Sequence, residues 1–366
     1  MKISIVGAGQ AGCLTALHYY LHAKNIDKIT IYHDPDTPIE ETGQGTNATI
    51  PELLFKTLGI DLVDNNTVKA TIKTGILYEG WAHGNKMVSP FKSNSIGYHY
   101  IPKLLSEATL NSGLFNVETK KITDPESEID GDWIFDCRGR KENNAETSDE
   151  LVNPLNCALL ANVPEVDPGL VYTKCVATPN GWTFVIPNSD STSYGYLYNS
   201  NITTEEEARA GFREQFGVDN AKNLPFKNYV EKSMWEGERT ILNGNRFTFL
   251  EPLEATSTES YLKIARHAWD YIFGGYSKDT VNLHAQRLIR QHEKYVLAHY
   301  HAGSVYDTPF WDHAKSLESS FLTKEYKEYV DLINGYDMRE HFTQKFPNWG
   351  NFPSWSVLKW YNQISL

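Results

Sequence analysis

The 366 residues carry 34 Lys and Arg against 46 Asp and Glu, a net charge of −12 and a pI near 5.5. This balance excludes the basic stripe that a nucleic-acid groove needs to neutralise phosphates. The 40% hydrophobic and 22% charged fractions suit a globular chain with a large core, in one extended domain or two closely joined ones. Cys13, Cys137, Cys157 and Cys175 show neither paired nor metal-ligand spacing. Reduced thiols, no metal and a cytoplasmic location are therefore expected. No segment has the length and apolarity of a membrane span. The 46 aromatic residues (9 Trp, 21 Tyr, 16 Phe) serve either core packing or a cavity walled by rings.

In chain order, Lys2–Val6 reads as a short buried strand, followed by the turn Gly7-Ala8-Gly9-Gln10-Ala11-Gly12. The same glycines interrupt the run where a signal peptide's apolar core would continue. A helix runs from Cys13 to about His22, with Leu14, Leu17 and Leu21 on one face, and Lys28–Tyr32 is a second strand. Strand, glycine turn, helix, strand is a βαβ unit. A polar loop covers 34–47, and 49–59 reads as a helix with Pro51 in its first turn. In Val68-Lys69-Ala70-Thr71-Ile72-Lys73, strand alternation puts Lys69 and Lys73 on one side and Val68, Ala70 and Ile72 on the core side. Solvated lysines are the other reading of that string. Trp133–Cys137 is a buried strand, and 151–250 suggests an antiparallel sheet through Trp182–Ile186 and Tyr194–Tyr198. From Thr256 onward the pattern is mostly helical, with a long helix at about 280–300.

The glycine turn carries the first chemistry. Gly7 permits the sharp turn, Gly9 lets the backbone approach a pyrophosphate, and Gly12 lets helix and strand pack closely. The helix N-terminus then offers N–H groups and partial positive charge. Where an acidic residue should end the second strand for a ribose, the chain has His33 and then Asp34; either serves, or both are solvated turn residues. The late strand ending Asp136-Cys137-Arg138-Gly139 points to FAD, and there is no second glycine fingerprint for NAD(P)H. Reduced flavin must then come from a separate reductase. Gly7, Ala8, Gly9, Gln10, Ala11, Gly12, His33, Asp34, Asp136 and Asn245 form the expected cofactor set.

The second cluster is Phe249-Leu250-Glu251-Pro252-Leu253-Glu254-Ala255-Thr256-Ser257. A carboxylate among apolar neighbours suits acid/base work. A helix starting near Thr256 or Ser257, both good capping residues, offers N–H groups to a halide. His299 and His301 lack a metal partner at suitable spacing and are read as helix-end residues.

Together these strings resemble the flavin-dependent tryptophan halogenase family. The resemblance rests on the glycine turn, the lysine string, Gly181-Trp182-Thr183-Phe184-Val185-Ile186-Pro187, the Phe249–Glu254 segment, His299-Tyr300 and Asp307-Thr308-Pro309-Phe310-Trp311. It implies an α/β, Rossmann-like FAD-binding fold of the flavin hydroxylase type, with an inserted antiparallel sheet and a helical C-terminal substrate region. It gives an FAD-binding body at 1–260, with the sheet insertion at about 151–250, and a region at 261–366 completing the substrate pocket. It further implies that reduced FAD, oxygen and halide yield hypohalous acid, which halogenates a small electron-rich aromatic. The family's lysine falls on Lys69 and its pocket glutamate on Glu254, with Thr256 and Ser257 at the halide turn. Phe91 and Trp355 wall the substrate, and Trp182 discourages monooxygenase chemistry.

Four departures stand out. Phe184 replaces a tryptophan and Ala255 a serine. The strap from flavin to pocket, Gly43-Gln44-Gly45-Thr46-Asn47-Ala48-Thr49-Ile50-Pro51, lacks its glutamate. The chain is also shorter than the family before Tyr98 and after Trp311. A reduced lid predicts an open pocket, broad aromatic substrates and bromide or iodide over chloride. The competing reading is a flavin monooxygenase of the same superfamily. A homo-oligomer is left open.

Overall fold

The computed structural model describes residues 1–84, 86–91, 95–141, 144–318, 352, 354–361 and 363. Its first layer is a six-stranded sheet ordered Trp235–Glu236, Thr240–Leu242, Trp133–Asp136, Lys2–Val6, Lys28–His33, Asn116–Thr119. All neighbours are parallel except the edge hairpin of the first two strands. The central strands are buried on both faces, which accounts for their near-continuous apolar runs. Helix Gln10–His22 follows the first strand directly, and Gly9 at its N-cap leaves the first N–H groups without a side-chain partner.

A second sheet of seven strands runs Lys222–Pro225, Cys157–Val163, Thr192–Tyr198, Gly181–Pro187, Thr173–Thr178, Gly75–Glu79, Met87–Pro90. It is antiparallel except where Gly75–Glu79 meets Thr173–Thr178. The sheet thus borrows two strands from before residue 151, while Trp235–Glu236 and Thr240–Leu242 belong to the first sheet. A small sheet of Gln44–Gly45, Gly97–Tyr100 and Thr71–Lys73 bridges the two layers.

Helices Thr256–Ile272 and Lys278–Ala302 pack on each other, and the former crosses residue 260. Helix Ser354–Tyr361 lies against Lys278–Ala302. Helix Thr49–Leu58 ends on Gly59 in the left-handed conformation (φ 64°), a common helix stop. Among the described residues, no helix is long and apolar enough to cross a membrane.

One local expectation is reversed. The strand at the lysine string covers only Thr71–Lys73, and Lys69 sits before it with φ 53°. That left-handed residue breaks the alternation, and Asn66 clamps the turn by bonding both N–H and C=O of Ala70. Beyond the turn the faces exchange, so Ile72 is exposed and Lys73 buried.

Candidate active site

A cavity of about 870 Å³ opens at the C-terminal ends of the parallel strands, where open α/β sheets bind ligands. Gly7, Ala8, Gly9, Gln10 and Ala11 line it, together with His33, Asp34, Arg140, Phe184, Asn245 and Ser257. A Cβ on Gly9 would meet nothing within 4 Å, so the backbone there is open to a ligand. Gly12 works differently: its Cβ would lie 1.9 Å from the Gly7 carbonyl oxygen, so it permits packing and does not face the cavity. Size, shape and the uncapped helix start fit a dinucleotide such as FAD. At the end of the second strand, Asp34 accepts from the Asp36 N–H at 3.0 Å, and His33 Nε2 lies 3.1 Å from Thr119 Oγ1.

Asp136 is not among the lining residues. It is fully buried, with Arg138 at 2.6 Å and Arg246 at 3.0 Å. A buried carboxylate between two guanidiniums anchors them. Arg138, Gly139 and Arg140 reach the cavity in its place.

Gln44 lines this cavity, and the next residue of the strap packs against Lys73. A Cβ on Gly45 would stand 2.7 Å from Lys73 Nζ and 3.1 Å from Thr173 Oγ1. Lys73 is 1% exposed, and its ammonium lies 5.6 Å from the centre of the Phe91 ring. Burial lowers its pKa from the ordinary 10.5 to about 8, while the charges of Cys175 and Glu254 oppose the change.

Glu254, whose charge interacts with that of Lys73, stands on an unusual backbone. Glu254 and Ala255 are both left-handed, at φ 66° and 53°. Two such non-glycine residues in succession store strain and turn the carboxylate inward. Oε1 accepts from Tyr78 Oη and from Tyr295 Oη at 3.3 Å, and lies 3.0 Å from His299 Nε2. Burial pushes the Glu254 carboxyl up, but contacts with His299, Tyr78 and Lys73 outweigh it and hold it below the usual value. Burial and the Glu254 charge push the Tyr78 phenol well up, so it remains a donor.

Lys69 is elsewhere. It is exposed and paired with Asp190 on the surface, whereas the charge of the buried Lys73 acts on Glu254. The helix after the turn has Ala255 at its N-cap with no side-chain cap, placing Thr256 and Ser257 one turn position later than expected. Ser257 lines the large cavity, whereas Thr256 is buried with an unpartnered Oγ1 beside a cavity of about 10 Å³. Glu251 is fully buried and accepts from Tyr300 Oη at 2.6 Å, Trp182 Nε1 at 3.2 Å and the Leu253 N–H at 3.3 Å. Burial raises its pKa to about 7.

Trp360 packs at a tilt on His299 with ring centres 4.1 Å apart, and Phe352 stacks on Tyr295 at 3.7 Å, so C-terminal rings cover two partners of Glu254. Trp355 falls in the same helix, and its side chain lies outside the described residues. Sequence reasoning missed Tyr78, Tyr295 and His299. The last two are spaced i, i+4 on one helix face, a signal that was available. Their convergence on Glu254 was not, because it joins segments over 170 residues apart in sequence.

The tryptophan halogenase family profile matches residues 2–104 and 113–359. Tryptophan 6-halogenase ThaL of Streptomyces albogriseolus is 26% identical over 249 residues, 61% of this chain and 45% of that protein. Tryptophan 7-halogenase RebH of Lentzea aerocolonigenes is 26% identical over 224 residues, 56% of this chain and 41% of that protein. The matched stretches thus span less than half the length of these relatives. Among solved structures, Xcc4156, a flavin-dependent halogenase from Xanthomonas campestris, superposes with a TM-score of 0.81. It is 19% identical, over 100% of this chain and 89% of that one. BrvH, a flavin-dependent halogenase from Brevundimonas sp. BAL3, gives 0.80 at 19% identity, over 100% and 90%. Their fold is shared throughout, α/β with a helical C-terminal region. On the family match over nearly its whole length, this chain belongs to the tryptophan halogenase family.

Proposed function

We propose that this chain is a flavin-dependent halogenase in which Lys73 and Glu254 act on an electron-rich aromatic. The observation that carries the reading is the buried Lys73 ammonium, packed against Gly45 of the strap that borders the dinucleotide cavity, with its charge acting on the largely buried Glu254 carboxylate. Reduced FAD held in the large cavity would supply two electrons to oxygen, whose remaining two-electron oxidising power takes halide to hypohalous acid. In balance, arene, halide, a proton, oxygen and reduced FAD become aryl halide, FAD and two waters.

The chain's own residues do the rest. Gly7–Ala11 and the helix start hold the phosphates, with His33 or Asp34 at the ribose. Ser257, and Thr256 behind it, serve the halide turn. Lys73, cationic at neutral pH, donates a hydrogen bond to the oxidised halogen species and fixes it near Glu254. Glu254, held ionised, takes the proton the ring loses as the carbon–halogen bond forms. Phe91 beside Lys73 supplies an aromatic wall. Reduced FAD comes from a separate reductase. Four free, buried thiols suit the cytoplasm.

The shortened lid favours bromide or iodide over chloride, and the test covers all three. Protein is supplied with reduced FAD, oxygen, each halide and a panel of indoles and phenols. Halogenated product is expected from the native chain. Lys73→Ala should lose it while still consuming oxygen and reduced flavin. Hydroxylated product without halogen would instead support the monooxygenase reading.

A further inference from the structure

Around Glu254, three polar atoms touch one another: Glu254 Oε1, Tyr78 Oη and His299 Nε2. Nε2 lies 3.0 Å from Oε1 and 3.3 Å from Tyr78 Oη, and Tyr78 also bonds Oε1. His299 Nδ1 lies 2.8 Å from the Tyr295 carbonyl oxygen, which only accepts, so Nδ1 carries a hydrogen and donates. Tyr78 brings one proton to the three-atom cluster. If it points to Oε1, the close approach of Nε2 to Oε1 sets two lone pairs against each other unless a second proton lies between them. If it points to Nε2, the contact of Tyr78 Oη with Oε1 has the same defect. Either way the cluster needs two protons. Tyr78 and His299 are fully buried and the Glu254 side chain is only 10% exposed, so the contacts lie largely out of reach of water.

We propose that Glu254 and His299 share one extra proton, and that His299 is the positioning residue that keeps Glu254 oriented and able to accept the proton from the aromatic ring. This rests on the function proposed above. The surroundings suit the role. Tyr295 Oη, which also contacts Ser356 Oγ, approaches Oε1 from the same helix as His299. Tyr78 stands on the neighbouring strand, and Lys73 and Cys175 face the carboxylate from theirs. Lys359 acts on Glu254 from the C-terminal helix. Trp360 and Trp81 cover the imidazole without offering it a polar group. With its Nδ1–H fixed to the helix, His299 has only Nε2 available for exchange with Glu254.

The test uses the FAD-loaded protein with ¹⁵N-labelled histidine. At pH 7 the nitrogen shifts of His299, together with the carboxyl carbon shift of Glu254, should report one extra proton on the pair. In Glu254→Gln, His299 should return to a neutral ring protonated at Nδ1 alone. Native protein with a neutral His299 and an ionised Glu254 would overturn the proposal.

The second readout is the pH profile of halogenation with His299→Gln, which retains a donor but cannot take up a proton. Its kcat should fall about 100-fold with little change in KM. One alkaline step of the native profile, the loss of the shared proton, should disappear, leaving the step that Lys73 produces near pH 8. An unchanged kcat and profile would overturn the positioning role even if the proton is present. If no variant or native protein halogenates any arene, the proposed function fails, and the nitrogen shifts still decide the proton count.

Discussion

Replacing Lys73 with Met should make the protein more stable and inactive. The native ammonium is buried, and its pKa falls from 10.5 to about 8. At about 1.36 kcal/mol per pKa unit, holding that charge in the fold at pH 7 costs about 3 kcal/mol. Methionine keeps similar length without the charge, so Lys73→Met should gain up to about 3 kcal/mol in urea unfolding at pH 7. In the window from about 8 to 10.5, the unfolded lysine binds more protons than the folded one. Native stability therefore rises with pH across that window, and the variant's advantage shrinks to nothing. Lys69→Met should differ from native by less than about 1 kcal/mol, because its ion pair with Asp190 is at the surface, and should keep activity. Paired urea curves at pH 7 and 10, with a halogenation assay on the same samples, measure all of this. A Lys73→Met protein that is less stable than native at pH 7, or that still halogenates, would refute the reasoning. So would loss of activity in Lys69→Met.

Other expectations follow from the same geometry. Gly45→Ala places a Cβ 2.7 Å from Lys73 Nζ; the flexible lysine end can yield, so the melting temperature should barely move while kcat drops. Gly12→Ala sets a Cβ 1.9 Å from the Gly7 carbonyl, where only backbone can give way. It should cost at least about 2 kcal/mol by chemical denaturation and weaken FAD binding measured by fluorescence titration. Glu251, raised to about 7 by burial, favours the acid form in the fold. Its contribution is full below about pH 4.5 and is lost as pH rises through 7, so Glu251→Gln should gain on native protein between pH 5 and 8 in thermal melts.

Much of the dinucleotide half was legible because its signals are local. Gly7, Gly9 and Gly12 sit in sequence as they sit in space, between a strand and a helix they connect. The Glu254 segment was legible for a similar reason, as one turn before one helix. The shared face expected of Lys69 and Lys73 fails because strand alternation does not run through residue 69, where a left-handed backbone breaks it. A lysine with positive φ has no composition signal as a glycine would. Asp136 was assigned to the cofactor because it ends a strand in the right place, yet its charge is taken by Arg138 and Arg246, the latter 110 residues away. The partners of Glu254 were invisible for the same reason: Tyr78, His299 and Trp360 meet only when three distant segments pack.

The central claim is that oxygen's oxidising power ends in a carbon–halogen bond. One mass spectrum tests it most directly: the product of a single indole or phenol turned over with reduced FAD, ¹⁸O₂ and bromide. The account predicts a product with the bromine isotope doublet and no ¹⁸O. A product carrying ¹⁸O and no bromine would contradict it.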